Sequence, residues 1–337
     1  MIDGRPNPQE DLKQPEPAVR RCLPWDGVEG VRILVTNDDG VEAPGIAALA
    51  AAAVRTGHEV LIVAPLEDWS GASAAVGAFY SRDGVDYRTF AITGLEDIPT
   101  YGIDGPPALG VILACVGGFG KRPDMVLSGI NHGVNVGRSA LHSGTIGAVL
   151  TAAQFGIRGL ATSIRYGPDP VPWDTAAQLV HAIVPVLETA PTSTVLNLNV
   201  PNVVPRDLQG VRAARLGRGG TIRSVTYDQS VDNSSSTSTD AARDSAAQRG
   251  DAQMPPGPRG TMRLDLAVPG SAGQEAPADN DTIDVDALLI GHNFATLTAL
   301  VGVHEAGDAT EVVARALDIV QNINKSSESP ETGPWSP

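Results

Sequence analysis

Rings are scarce in this chain: aromatic residues make up 4% of it. A core must therefore be built from small and branched aliphatic side chains, within a hydrophobic fraction of 42%. Cysteine is almost missing, with only Cys22 in a polar segment and Cys115 in an apolar one. Two cysteines allow at most one disulfide, which nothing in the sequence supports, and a reduced, cytoplasmic compartment is the favoured reading. No uninterrupted apolar run is long enough to span a membrane. The first residues are charged and proline-rich, without the apolar stretch of a secretory signal. Positive charge is short as well: 24 Lys and Arg stand against 39 Asp and Glu, a formal net charge of −15. Such a surface repels a phosphate backbone, so a nucleic-acid polymer is not the expected partner. A small phosphorylated substrate needs only a locally positive site, which a divalent metal can supply.

Missing motifs narrow the chemistry further. The first strand-like run is not followed by the Gly-x-Gly-x-x-Gly of a dehydrogenase, and no Gly-Lys-Ser/Thr of a P-loop kinase occurs. Its acidic residues are adjacent, unlike the Asp-x-Asp of haloacid-dehalogenase-type phosphatases.

What remains is a regular alternation. Residues 1–30 read as a disordered leader. Residues 31–36 form a short apolar run that ends in Asn37-Asp38-Asp39-Gly40, a buried strand followed by a turn. Pro44 stands at a first helical position and Gly57 beyond the end. Ile46, Leu49, Ala50, Ala53 and Val54 share one helix face between them. Strands are expected at 59–64, 124–127, 159–164 and 194–198, and helices at 107–116, 145–155 and 174–189. Repeated strand–helix units predict a parallel sheet covered on both faces, a Rossmann-like three-layer α/β fold. Residues 70–100 are less regular and suit a small antiparallel excursion. Beyond Pro201, residues 211–227 and 261–268 read as hairpin arms of a C-terminal extension. The stretch between them, 229–260, is of low complexity and reads as a disordered insertion. Order is expected to return near Ile283, with an amphipathic helix at 310–323 and a disordered tail from 325. The main domain thus spans 31–324.

Three segments at carboxyl ends of expected strands carry the chemistry, at the edge where open parallel sheets bind ligands. Asp38 and Asp39 repel each other, and a hard divalent cation relieves that repulsion through oxygen ligands. Ser70, in the loop after the second strand, offers a hydroxyl, and Asn131 offers an amide oxygen. Two carboxylates with two neutral oxygens suit Mg²⁺ or Mn²⁺. Ser143-Gly144-Thr145 opens a helix whose free N–H groups and partial positive charge suit phosphate, though Ser143 or Thr145 also reads as a helix cap. His132 and His142 lie close to the site, where hydrogen bonding behind the ligands or plain surface exposure is the leading reading and protonation of a leaving group the alternative. His58, His181, His292 and His304 have no evident partner.

These segments together resemble the survival protein SurE family of 5′-nucleotidases. The matching stretches run in order: Ile33–Gly40, Ala43-Pro44-Gly45-Ile46, Val63–Ser73, Leu127–Gly137, Ser143–Ala148 and Asn197–Pro201. Departures fall at Gly105-Pro106-Pro107, at His142 and at Thr296–Leu300. The resemblance implies one divalent metal per subunit, held by Asp38, Asp39, Ser70 and Asn131. It implies that Asp38 and Asp39 are catalytic, and that phosphate contacts lie near Asn135, Ser143, Gly144 and Thr145. It implies hydrolysis of nucleoside 5′-monophosphates, with 3′-monophosphates and short polyphosphate as further substrates. It also implies a homodimer or homotetramer that exchanges C-terminal segments. The competing reading is a nucleotide-binding regulatory protein of the same fold without turnover.

Overall fold

The computed structural model describes residues 30–77, 84–218, 222–228, 261–266 and 284–303. The leader, the 229–260 insertion, the 310–323 helix and the tail lie outside these residues.

The chain opens with β1 (Arg32–Thr36), α1 (Pro44–Val54) and β2 (Glu59–Pro65). The irregular region resolves into β3 (Tyr87–Phe90) and β4 (Thr100–Ile103), which pair antiparallel as the expected excursion. Next come α2 (Pro107–Cys115), β5 (Met125–His132), a 3-10 turn at Gly137–His142, α3 (Gly144–Gln154), β6 (Arg158–Ile164), α4 (Trp173–Glu188) and β7 (Val195–Val200). The C-terminal part holds β8 (Val211–Ala213), β9 (Ile222–Asp228), β10 (Thr261–Leu266), α5 (Asp286–Gly291) and β11 (Ala295–Leu300).

Nine strands form one sheet in the order β3-β4-β2-β1-β5-β6-β7-β11-β8. The central strands are parallel, while β3 and β11 run antiparallel to their neighbours β4 and β7. From β1 the chain goes to β2 and β4 on one side, and then returns to β5, β6 and β7 on the other. The order therefore reverses between β1 and β5, which is where an open α/β sheet leaves a crevice for ligands.

Both faces of the sheet are covered, so its strands read as continuous apolar runs rather than alternating ones. All five residues of β1 are buried. Ile33, Val35, Ile62 and Leu127 pack against α1 and α4, and Leu34, Leu61, Val63 and Val126 against α2 and α3. Small residues set how closely the helices approach. A Cβ on Gly45 of α1 would fall 2.0 Å from the Ile130 carbonyl oxygen, and one on Gly147 of α3 would fall 2.1 Å from that of Ser73.

Two expectations need correction. β5 does not stop at Leu127 but runs on to His132, so Asn131 belongs to the strand rather than to the loop after it. Its pairing with β6 shifts register between Ser128 and Asn131, around Gly129 at φ 126°. That irregularity lets a strand end turn its side chains toward the crevice. The arm expected at 211–227 is divided: Val211–Ala213 pairs parallel with β11, and only Ile222–Asp228 pairs antiparallel with β10. The Leu216-Gly217-Arg218-Gly219-Gly220 stretch between them carries three glycines, which weaken a strand interior.

A methyl group between α1 and β5 tests this packing. Gly45→Ala is expected to cost about 2–3 kcal/mol by overpacking against backbone, measured by urea denaturation. An unchanged midpoint would refute the close approach.

Candidate active site

β1 delivers Asn37, Asp38 and Asp39 directly into the crevice. The turn is fixed locally: the Asn37 side-chain amide donates to the Gly40 carbonyl at 2.8 Å, and the Val41 amide donates to the Pro65 carbonyl at 2.8 Å. Asp38 is only 3% exposed, and Asn37 is fully buried.

Asp38 is anchored from the head of α3. Its carboxylate accepts the Thr145 hydroxyl at 2.6 Å and also the Thr145 backbone N–H. Ser143 caps that helix by accepting the Ile146 N–H at 3.1 Å. Gly144 is there for space: a Cβ would lie 2.8 Å from Asp38 Oδ2. The partial positive charge of this helix N-terminus thus meets a carboxylate of the chain itself, a stabilising arrangement. Thr145, expected at a phosphate, has its hydroxyl committed to Asp38.

Asp39 is held more lightly, by the backbone N–H of His132. Burial, then the charge of Asp38 and then that of Asp68, push its carboxyl up to about 7. Burial also raises Asp38, against the three hydrogen bonds it accepts from its own N–H and from Thr145. In the chain alone, the negative charge of this pair is strongly opposed.

The other expected ligands come from neighbouring strands. The loop after β2 is fastened to the pair where the Trp69 N–H donates to the Asp38 carbonyl at 2.8 Å, one residue before exposed Ser70. Asp68 accepts the Ser70 N–H at 2.7 Å. The far end of this loop leans on the 3-10 turn, with the Ser73 hydroxyl donating to the Leu141 carbonyl at 2.7 Å and its N–H to that of His142 at 3.1 Å. Asn131 uses its side-chain N–H on the Gly133 carbonyl, which leaves its amide oxygen available. Among the described residues, no three His, Cys, Asp or Glu side chains converge as a metal cluster. An ion here would need the neutral oxygens of Ser70 and Asn131 beside the two carboxylates.

Asn135 is bound into the fold. Its N–H donates to Asn199 Oδ1 at 2.7 Å and its side-chain amide to Ser163 at 2.9 Å, while its carbonyl accepts from Asn197 and Asn199 at 3.0 and 3.1 Å. It braces the loop that leads to Ser143. Of the two histidines, His142 is exposed, while His132 packs its ring 4.6 Å from Tyr166 and 5.7 Å from Trp173. His132 Nε2 is buried without a hydrogen-bond partner.

Three contributors escaped sequence reading. Tyr166, 63% exposed, stands over Gly133, and the charges of Asp39, Asp68 and Asp38 help to raise its hydroxyl pKa after burial does so. It follows β6 at the same sheet edge, so its position was a usable signal. Asp68 sits beside Ser70 and adds charge. Asp286 had no signal in sequence. It is fully buried, and it accepts N–H groups from Gly137, Gly217 and Ala287 at 2.8, 3.0 and 2.8 Å. It thereby ties the turn before Ser143 to the C-terminal segment.

The Thr145–Asp38 bond is directly testable. Thr145→Val is expected to lower stability by about 1.5–3 kcal/mol, the range for a hydrogen bond to a charged group, with Thr145→Ser nearly neutral in the same denaturation assay. Equal losses in both variants would assign the effect to packing instead.

The Survival protein SurE family profile matches residues 33–222. The 5′-nucleotidase SurE of Chloroflexus aggregans is 41% identical over 190 residues, which cover 55% of this chain and 72% of that protein. The 5′-nucleotidase SurE of Xylella fastidiosa is 39% identical over 193 residues, covering 56% of this chain and 70% of that one. Among solved structures, the SurE protein from Aquifex aeolicus superposes with a TM-score of 0.62 at 23% identity, over 85% of this chain and 99% of its own. At that identity the likeness speaks for the fold alone.

Proposed function

The chain belongs to the survival protein SurE family, and from that membership we propose that it hydrolyses nucleoside 5′-monophosphates to nucleoside and phosphate at Asp38 and Asp39. The observation that carries this reading is the pair of adjacent carboxylates, Asp38 buried and Asp39 half-buried, at the point where strand order reverses.

Asp38, Asp39, Ser70 and Asn131 would hold one hard divalent cation, Mg²⁺ or Mn²⁺. The donors fit it: two carboxylates whose charge burial opposes, an amide oxygen left free by Asn131, and an exposed hydroxyl. Such an ion supplies charge neutralisation and Lewis acidity toward a phosphate oxygen.

The two carboxylates have different parts. Asp38 accepts three hydrogen bonds and is fixed, as suits an anchor. Asp39 accepts one backbone N–H and is freer to act on a proton. As general base it takes a proton from the attacking water. An oxygen–phosphorus bond forms, the ester oxygen–phosphorus bond breaks, and the leaving 5′-oxygen takes up the proton that Asp39 received, returning the carboxylate. The head of α3 receives the phosphate through the amide of Gly144. Ser143 keeps that helix capped, Thr145 holds Asp38, and Asn135 pins the loop between them. 3′-Monophosphates and short polyphosphate are further substrates to be tested.

No described helix is long and apolar enough to cross a membrane. Val211, Leu216, Val301 and Val303 stand exposed toward the β8–β11 end of the sheet, which supports a homodimer or homotetramer.

Phosphate release from a panel of nucleoside 5′- and 3′-monophosphates and tripolyphosphate is the test. EDTA is expected to abolish it and Mn²⁺ or Mg²⁺ to restore it. Asp39→Asn should lose about 10²–10⁴-fold in kcat, the range for a general base, with an unchanged circular dichroism spectrum. Nucleotide binding without any phosphate release under Mn²⁺ would instead mark a regulatory protein.

A further inference from the structure

Asp286, the first residue of α5, is fully buried and takes no part in the chemistry assigned above. Its two carboxylate oxygens serve different parts of the chain. Oδ2 accepts the Gly137 N–H at 2.8 Å, where the 3-10 turn begins. Oδ1 accepts the Gly217 N–H at 3.0 Å and that of Ala287 at 2.8 Å. Burial pushes this carboxyl up, against the pull of the N–H groups around it.

The Oδ1 side closes the base of a long excursion. The chain departs toward β9 and β10 after Gly217 and returns at Asp284. Exit and return run side by side: the Arg215 N–H donates to the Asp284 carbonyl at 2.8 Å, and the Asp286 N–H to the Arg215 carbonyl at 3.1 Å. A Cβ on Gly217 would meet Val285 Cγ1 at 3.1 Å and Asp286 Oδ1 at 3.4 Å, so the closure is tight.

The Oδ2 side reaches the site. The 3-10 turn that starts at Gly137 is fastened at its far end by Ser73, which bonds the carbonyls of Leu141 and His142 and belongs to the loop that carries Ser70. The next residue, Ser143, caps α3, and Thr145 of α3 holds Asp38. The turn therefore supports Asp38 through α3 and Ser70 through Ser73. Without its acceptor, the Gly137 N–H is left buried and unpaired, which favours a displaced turn. We propose that Asp286 is a positioning residue: it touches no reacting atom, but through Gly137 it sets the turn that keeps Asp38 and the Ser70 loop in register. The geometry of the site thereby depends on closure of the C-terminal segment. This assignment rests on the nucleotidase reading above and adds a control point to the same site.

Two measurements on the full chain test it. Asp286→Asn keeps the shape of the side chain and removes one acceptor. At saturating Mn²⁺ its kcat on adenosine 5′-monophosphate is expected to fall about tenfold or more, with KM within about threefold. Val184→Ala, in the α1–α4 core on the other face of the sheet, supplies a chain with a comparable loss of thermal midpoint, and should keep kcat within about twofold. Equal kcat losses in the two variants, or a folded Asp286→Asn with unchanged kcat, would overturn the proposal. The second measurement is hydrogen exchange of the unsubstituted chain with and without Mn²⁺, and it decides the matter if Asp286→Asn does not fold. Coupling between two places is reciprocal, so Mn²⁺ should slow exchange about fivefold at 284–291 as well as at 135–145. Slowing confined to 135–145 overturns the coupling. Slowing in both segments of a chain that releases phosphate from no substrate would refute the nucleotidase reading and leave the coupling standing.

Discussion

Two negative charges side by side at the end of one buried strand are the constraint that organises this molecule. Burial alone would oppose both charges, and that of Asp38 adds to the burden on Asp39. The fold answers with the most favourable electrostatics available to neutral backbone: a helix N-terminus brought up to one carboxylate and a strand amide to the other. That answer dictates glycine at position 144, where any side chain would displace Asp38. It also dictates the reversal of strand order, because only there can α3 and the end of β5 both reach the turn after β1.

Around that pair the sheet carries an unusual stripe of polar residues. Asn131 pairs with Ser163, Ser163 with Asn199, and Asn199 with Thr296, so four strands contribute a polar side chain at one level. Ser163, Asn199 and Thr296 are fully buried. Buried polar groups at strand ends are costly unless paired, and Asn135 satisfies much of this row through its own backbone and amide. The crevice thus continues as a hydrogen-bonded floor beneath the loop that leads to α3.

The fold was largely legible in sequence because its signals were local and redundant. Apolar runs closed by Pro65 and by Asn37-Asp38-Asp39-Gly40 mark strands of a sheet covered on both faces, and Pro44, Pro107 and Ser143 mark helix starts. Errors came where non-local pairing decides. The Gly129 irregularity prolonged β5 beyond an apparent turn motif, and the division of residues 211–227 between two sheets left no periodicity to read. In the site, Asp38, Asp39 and Asn131 announced themselves as oxygen donors at a sheet edge. What Thr145 does with its hydroxyl could not be read, since a helix N-terminus welcomes any anion and only the packing tells which one arrives. Asp286 was invisible for a related reason: its partners are amides scattered along the chain, and backbone groups leave no mark in sequence.

Asp286 and Gly137 are 149 residues apart, yet their bond steadies the turn just ahead of α3. On a ribosome adding about 5–20 residues per second, roughly 7–30 s separate the emergence of these two partners. For that interval the nascent chain has its carboxylate pair but lacks the clasp behind α3. The turn ahead of α3 is therefore among the last parts of this region to be secured during synthesis, once the head of α5 has emerged.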